Sequence, residues 1–191
     1  MMTAQEALDT LMIGNRRFAE EHLKHPHQDQ HRRAEIVGGQ HPFAVVLTCS
    51  DSRVAPEVIF DQGLGDLFVI RVAGNVSDDI VLASIEYAAA HLGTPLVMVL
   101  GHQNCGAITA ALAGGSTEGA LPYLMRELQP AVEQTECCDV DPLDTAIRAN
   151  ARIVAEKLLA TSEVLAGLVE TDALKIVPAL YQFDSGKVEL L

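Results

Sequence analysis

Pro42-Phe43-Ala44-Val45-Val46-Leu47-Thr48 leads directly into Cys49-Ser50-Asp51-Ser52-Arg53, and Pro95-Leu96-Val97-Met98-Val99-Leu100 leads into Gly101-His102-Gln103-Asn104-Cys105. Each apolar run lacks the alternation of a half-exposed strand, so both read as strands buried on two faces. Both end in a polar motif, which places two thiols, an imidazole and a carboxylate just beyond strand ends. In a parallel sheet these ends lie on one edge, where ligands bind.

Working outward, the other segments alternate in type. Asp66 to Val72 reads as a strand. Pro56 to Phe60 is a short helix with proline in its tolerated first turn. Ser77 or Asp78 caps a helix carrying Ile80, Ala83, Ser84, Tyr87, Ala88 and His91 along one side, closed by Gly93. Ala107 to Ala113 is helical and residues 114–119 form a loop. Asp141-Pro142-Leu143-Asp144 starts another helix, with Leu143, Ile147, Val154 and Leu158 on its apolar face. Leu174 to Tyr181 and Lys187 to Leu190 flank the turn Asp184-Ser185-Gly186, a terminal hairpin or edge ribbon. Strands alternating with helices require crossovers. The fold class is therefore α/β: a single domain over 1–191 with a central, mainly parallel β-sheet flanked by helices and a C-terminal edge strand or hairpin.

Residues 1–35 form an N-terminal helical arm in this reading. Thr3 and Glu6 have capping-box spacing, and Leu8, Leu11, Met12 and Phe18 give an amphipathic helix over residues 4–22. It packs on its own core or on a partner subunit. The stretch 21–33 contains His22, His25, His27 and His31, but Pro26 interrupts it and no fixed i, i+4 ligand pair results; a solvated loop is expected.

The totals narrow the function. The 191 residues suit one domain, with 49% hydrophobic and 20% charged residues. Net charge is -13, from 26 acidic against 13 basic residues, which repels phosphate backbones and excludes nucleic acid as a partner. No apolar run reaches the roughly twenty residues of a membrane span, so no membrane partner is expected. Without a basic start and apolar core at the N-terminus, the expected location is the cytoplasm. There the four cysteines are ligands, nucleophiles or core thiols and not disulfides. Cys137-Cys138 has no ligand spacing and no assigned role.

Cys49, His102 and Cys105 make a Cys2His set with one open position, the donor pattern of a catalytic zinc. Asp51 and Arg53, two apart, share a side of an extended segment, where Arg53 can take both carboxylate oxygens and keep Asp51 ionised and off the metal. Bound zinc can bring the pKa of water to about 7 in the most favourable case. Two thiolates weaken that effect, so activity should rise toward alkaline pH.

The joined motifs Cys49-Ser50-Asp51-Ser52-Arg53 and His102-x-x-Cys105 resemble those of the beta-class carbonic anhydrases. Residues 60–68, Arg71-Val72-Ala73-Gly74-Asn75, Ser84-Ile85-Glu86-Tyr87-Ala88 and Val99-Leu100-Gly101-His102 extend the similarity, which runs from about Leu11 to Leu191. The resemblance implies reversible hydration of CO2 to bicarbonate and a proton, by zinc-bound hydroxide oriented by an Asp-Arg dyad. It implies one Zn2+ per chain on Cys49, His102 and Cys105, with Asp51 and Arg53 catalytic. Gln40, Phe68, Tyr87 and Gly106 would contact substrate, partly from a neighbouring subunit, in a homodimer or dimer of dimers.

Members of that class either keep the fourth zinc position open or close it with the dyad aspartate at low pH. The closing type has a tryptophan three residues before the first cysteine ligand. Val46 stands there, the chain has no tryptophan, and Gln40 matches the glutamine of the open type. Arg71 matches an arginine of the closing type's regulatory site. Two other readings remain: hydrolysis of CS2 or COS on the same fold with the same ligands, and a non-catalytic zinc or thiol redox sensor using Cys49, Cys105 and the Cys137-Cys138 pair, which would have no use for the Asp51–Arg53 pair.

Overall fold

The computed structural model describes residues 2–115, 117–135 and 141–191. The Cys137-Cys138 pair lies outside the described residues. Five strands form one sheet in the order β2-β1-β3-β4-β5. They are β1 (Ala44–Thr48), β2 (Leu67–Arg71), β3 (Leu96–His102), β4 (Lys175–Tyr181) and β5 (Val188–Leu190). The first four are mutually parallel, and β5 closes the edge antiparallel to β4. The expected α/β fold with a C-terminal edge strand is the observed one, and β4 is an interior strand.

Strand residues divide by parity between two cores, which explains the unbroken apolar runs. Ala44 and Val46 of β1 and Leu96, Met98 and Leu100 of β3 pack with Ala7, Leu8 and Leu11 of α1 (Ala4–Ala19) and Ile59 of α3 (Pro56–Ile59). Val45, Leu47, Val97 and Val99 face the other way. They meet Val81 and Ile85 of α4 (Asp79–Glu86), Ala151, Val154 and Leu158 of α7 (Pro142–Thr161), and Leu165 of α8 (Glu163–Glu170). A large aliphatic side chain so buried contributes about 1.5–3 kcal/mol.

α1 therefore packs on its own sheet. Thr3 and Glu6 form the expected reciprocal capping box. At Gly14, a Cβ would come within 1.8 Å of the Phe60 carbonyl oxygen, so only glycine lets α1 cross the end of α3. The segment after α1 is tied down more firmly than a solvated loop. Buried Asp61 accepts the backbone N–H groups of Lys24 (3.0 Å) and His25 (2.9 Å) and pairs with Arg17. Asp66 receives Gly63 N–H and His27 Nδ1, both at 2.8 Å, and Arg32 Nη2 at 3.3 Å. A short helix, α2 (Gln30–Glu35), capped by Asp29, completes the segment.

Besides α2, two further helices lack a counterpart in the sequence reading. α6 (Leu121–Glu133) contains Pro122 in its tolerated first turn and Pro130 inside, which argues against a helix, yet Leu128 and Ala131 form a buried side. α8 follows α7 directly, started by the Ser162 cap. α4 has its Asp78 cap, but the side carrying Ile80, Tyr87 and His91 faces outward. Val81, Ile85, Ala88 and Ala89 form the buried stripe, at regular helical spacing, and the helix widens to an i→i+5 turn over Tyr87–His91. Among the described residues, no helix is long and apolar enough to cross a membrane.

Candidate metal centre

Adjacent parallel strands bring the two motifs together. Thr48 of β1 is in register with Leu100 of β3, and the Thr48 hydroxyl donates to the Leu100 carbonyl at 2.8 Å. One residue beyond Thr48 stands Cys49; two beyond Leu100 stands His102; Cys105 lies at the start of α5 (Gly106–Leu112). One donor atom from each of Cys49, His102 and Cys105 lies within 4.8 Å of the others, and all three residues are buried. Ile108 of α5, Leu128 of α6 and Ile147 of α7 surround the thiols with apolar side chains, so the unpredicted α6 supplies part of the site's floor.

His102 Nδ1 lies 2.9 Å from the Gln103 carbonyl oxygen. A carbonyl can only accept, so Nδ1 carries the proton and Nε2 presents a lone pair. The side chain is 0% exposed and Nε2 has no hydrogen-bond partner. An orphaned buried acceptor costs about 1–3 kcal/mol unless something occupies it. Both thiols beside it point to a cation as that occupant.

Hydrogen bonding from Cys105 and from the N–H groups of Gly74 (3.3 Å) and Asp51 lowers the Cys49 pKa to about 4 despite burial. Cys105 is pushed up, first because its proton serves Cys49 and then by burial. A dication removes the cost of a second thiolate beside the first. Soft thiolates with one neutral imidazole are the donor chemistry of zinc, and the trio fits that ion.

Gly74 completes the cradle. Its φ is +66° and a Cβ there would come within 3.0 Å of Leu128, so glycine is required for its N–H to reach Cys49. Buried Asn150 of α7 fixes it by donating to the Gly74 carbonyl at 2.8 Å. Asn150 carried no sequence signal beyond its place in a helical pattern.

Asp51 sits beside the donors. Arg53 grips it with Nε on Oδ1 (2.9 Å), Nη2 on Oδ2 (2.7 Å) and the backbone N–H on Oδ1 (3.0 Å). The Arg53 hydrogen bond is the main reason that the Asp51 carboxyl lies well below the usual carboxylate range. Its Oδ2 is nevertheless 3.9 Å from His102 Nε2. Arg71, with its role open in the sequence, donates to the carbonyls of Cys49 (3.3 Å) and Asp51 (2.7 Å) and pins the motif's backbone.

The remaining candidates are placed differently. Gly106 follows Cys105, and a Cβ there would meet nothing within 4 Å, so its face opens on free space. Phe68 pairs with Val45, three residues back from the strand end at Arg71, roughly 10 Å along the strand. Its ring contacts Tyr87, with centroids 6.4 Å apart, and Tyr87 is 48% exposed. Gln40 is exposed before β1. These three occupy the edge of the sheet and its approach, away from the buried donors.

Residues 44–188 match the carbonic anhydrase family. Carbonic anhydrase 2 of Mycobacterium tuberculosis (strain ATCC 25618 / H37Rv) is 40% identical over 189 residues, covering 96% of this chain and 91% of that protein. The carbonic anhydrase of Mycolicibacterium smegmatis is 38% identical over 188 residues, with coverage of 96% and 91%. A solved beta-carbonic anhydrase from Sordaria macrospora, one of two described as tetrameric, superposes with a TM-score of 0.77 at 26% identity, covering 86% of this chain and 88% of that one. The chain belongs to the beta class of the carbonic anhydrases and is an enzyme of that family.

Proposed function

We propose that this chain catalyses reversible hydration of CO2 to bicarbonate and a proton, using one zinc ion held by Cys49, His102 and Cys105. The observation that carries the reading is the buried, unpartnered lone pair of His102 Nε2 beside the thiols of Cys49 and Cys105. Bound there, zinc supplies a Lewis acid that makes water nucleophilic at neutral to alkaline pH.

The chain's own residues do the rest. Gln103 fixes the His102 tautomer through its carbonyl, and Gly74 fixes Cys49 through its N–H. Asp51, ionised and gripped by Arg53, offers Oδ2 as a hydrogen-bond acceptor beside the donor set and turns the attacking oxygen's lone pair toward CO2. The three bonds to Arg53 favour the open form, with Asp51 off the metal, at neutral and alkaline pH.

Gly106 borders the substrate space, while Gln40, Phe68 and Tyr87 act from a neighbouring subunit. The outward placement of Ile80 and Tyr87, together with half-exposed Phe68 on the edge strand β2, supports a homodimer or a dimer of dimers. Residues 1–191 form one domain, with 1–35 as its N-terminal part, working in the cytoplasm, where its thiols stay reduced.

Stopped-flow CO2 hydration on protein of measured zinc content tests the proposal. Activity should scale with zinc up to one ion per chain and rise with pH. Zinc at one per chain with no hydration even at alkaline pH would refute it.

A further inference from the structure

Arg53 must hold a flat, two-pronged grip on Asp51, yet its side chain is 53% exposed. An exposed arginine samples many rotamers, and a grip that depends on orientation needs a restraint. Nη2 also reaches the Asn104 carbonyl at 3.3 Å, and a second restraint comes from a distant part of the chain. The Arg53 guanidinium carbon lies 4.4 Å from the centroid of the Phe183 ring, over its face. Phe183 belongs to the turn between β4 and β5.

The ring is itself held from several sides. Phe183 N–H donates to Gln103 Oε1 at 3.0 Å, and Gln103 Nε2 donates to Asp184 Oδ2 at 3.2 Å. Gln103 N–H donates to the Tyr181 carbonyl at 2.9 Å, so the turn is fastened to the segment linking His102 to Cys105. The Phe183 ring stands edge-on to His102 (5.6 Å, 62°) and to Tyr181 (5.3 Å, 81°), and Tyr181 leans on Phe18 of α1. One ring thus touches both a donor of the metal centre and the cation that grips Asp51.

We propose that Phe183 is a positioning residue for the reaction: its π face holds the Arg53 guanidinium flat against Asp51, in register with His102. This rests on the reading of Asp51 and Arg53 as the pair that orients the attacking oxygen. Gln103 serves the same end twice, its carbonyl setting the His102 tautomer and its side chain setting the ring. A ring that merely filled space could be exchanged for an aliphatic side chain without effect on Arg53. An electrostatic plate could not, because the attraction comes from the electron-rich face.

The test compares zinc-quantified Phe183→Leu, Phe183→Tyr, Arg53→Ala and the double variant Phe183→Leu/Arg53→Ala by stopped-flow CO2 hydration. A protein carrying a trifluorinated phenylalanine at position 183, with the same shape and an electron-poor face, completes the set. Expected are a loss of about fivefold in kcat for Phe183→Leu at unchanged zinc content and nearly unchanged KM, and retention of kcat in Phe183→Tyr. The fluorinated ring should behave like leucine, and Phe183→Leu should add nothing once Arg53 is alanine. Wild-type kcat in Phe183→Leu or in the fluorinated protein, or an undiminished fivefold loss in the Arg53→Ala background, overturns the proposal while leaving the Asp51–Arg53 reading intact. Wild-type kcat in Arg53→Ala overturns both. Should Phe183→Leu fail to fold or bind zinc, the fluorinated ring decides, since it occupies the same space.

Discussion

The donor trio and the residues assigned to the substrate pocket sit on the same sheet but stand in opposite conditions. Cys49, His102 and Cys105 are buried and meet inside one chain, because β1 and β3 are neighbours in register. Gln40, Phe68 and Tyr87 are exposed or half exposed at the edge strand and its approach. A single chain thus brings the candidate metal donors together and leaves the proposed pocket residues apart from them. On the proposed reading, metal loading is a property of one chain, whereas substrate turnover belongs to a pair.

Breaking the buried half should have the largest effect. Cys105→Ser replaces a soft thiolate with a poor zinc ligand, and CO2 hydration should fall by more than about a thousandfold as zinc content drops toward zero, measured by metal analysis and stopped flow. Asp51→Asn leaves the donors intact. It should keep its zinc and lose about a hundredfold in kcat, which separates orientation of the attacking oxygen from metal binding. An Asp51→Asn enzyme with full activity would remove the carboxylate from the mechanism.

The exposed half should respond more mildly. Tyr87→Ala should lower kcat/KM by about tenfold with zinc retained, and it should shift the subunit equilibrium toward monomer in light scattering. Normal kinetics in a fully monomeric Tyr87→Ala protein would place the pocket within one chain.

A control lies outside both halves. Burial raises the Asp61 carboxyl, but Arg17 and the N–H groups of Lys24 and His25 outweigh it and leave the pKa below its ordinary value. A depressed carboxylate stabilises the fold fully above its unfolded pKa, about 4, and that contribution is lost as pH falls through the folded value. Asp61→Asn should therefore lower stability by about 2 kcal/mol at pH 7, and this deficit should shrink as pH falls below about 4 in urea titrations. A deficit independent of pH would mean that Asp61 acts by packing alone.

Much of this was legible in the sequence, for local reasons. The rim motifs stood out because unbroken apolar runs ended in clustered polar residues and glycine, and the helix caps Thr3, Asp78 and Asp141 all act as caps. Readings failed where a local signal was overruled. Pro130 concealed α6, although Leu121, Leu124, Leu128 and Ala131 repeat at helical spacing. On α4 the buried stripe runs through Val81, Ile85, Ala88 and Ala89, a second helical spacing that the same stretch offers. The tie from Asn150 to Gly74 and the contact from Phe183 to Arg53 join residues far apart in the chain, and no period or spacing encodes such meetings.

The central claim is that one chain builds the metal centre and two chains build the pocket, and subunit complementation tests it most directly. Asp51→Asn and Tyr87→Ala chains, each impaired as homodimers, are co-expressed with different tags, and the mixed dimers are purified and assayed for CO2 hydration. A mixed dimer should contain one site with both lesions and one with neither, so it should recover about half of the wild-type activity. Activity no higher than the mean of the two parent homodimers would contradict the claim.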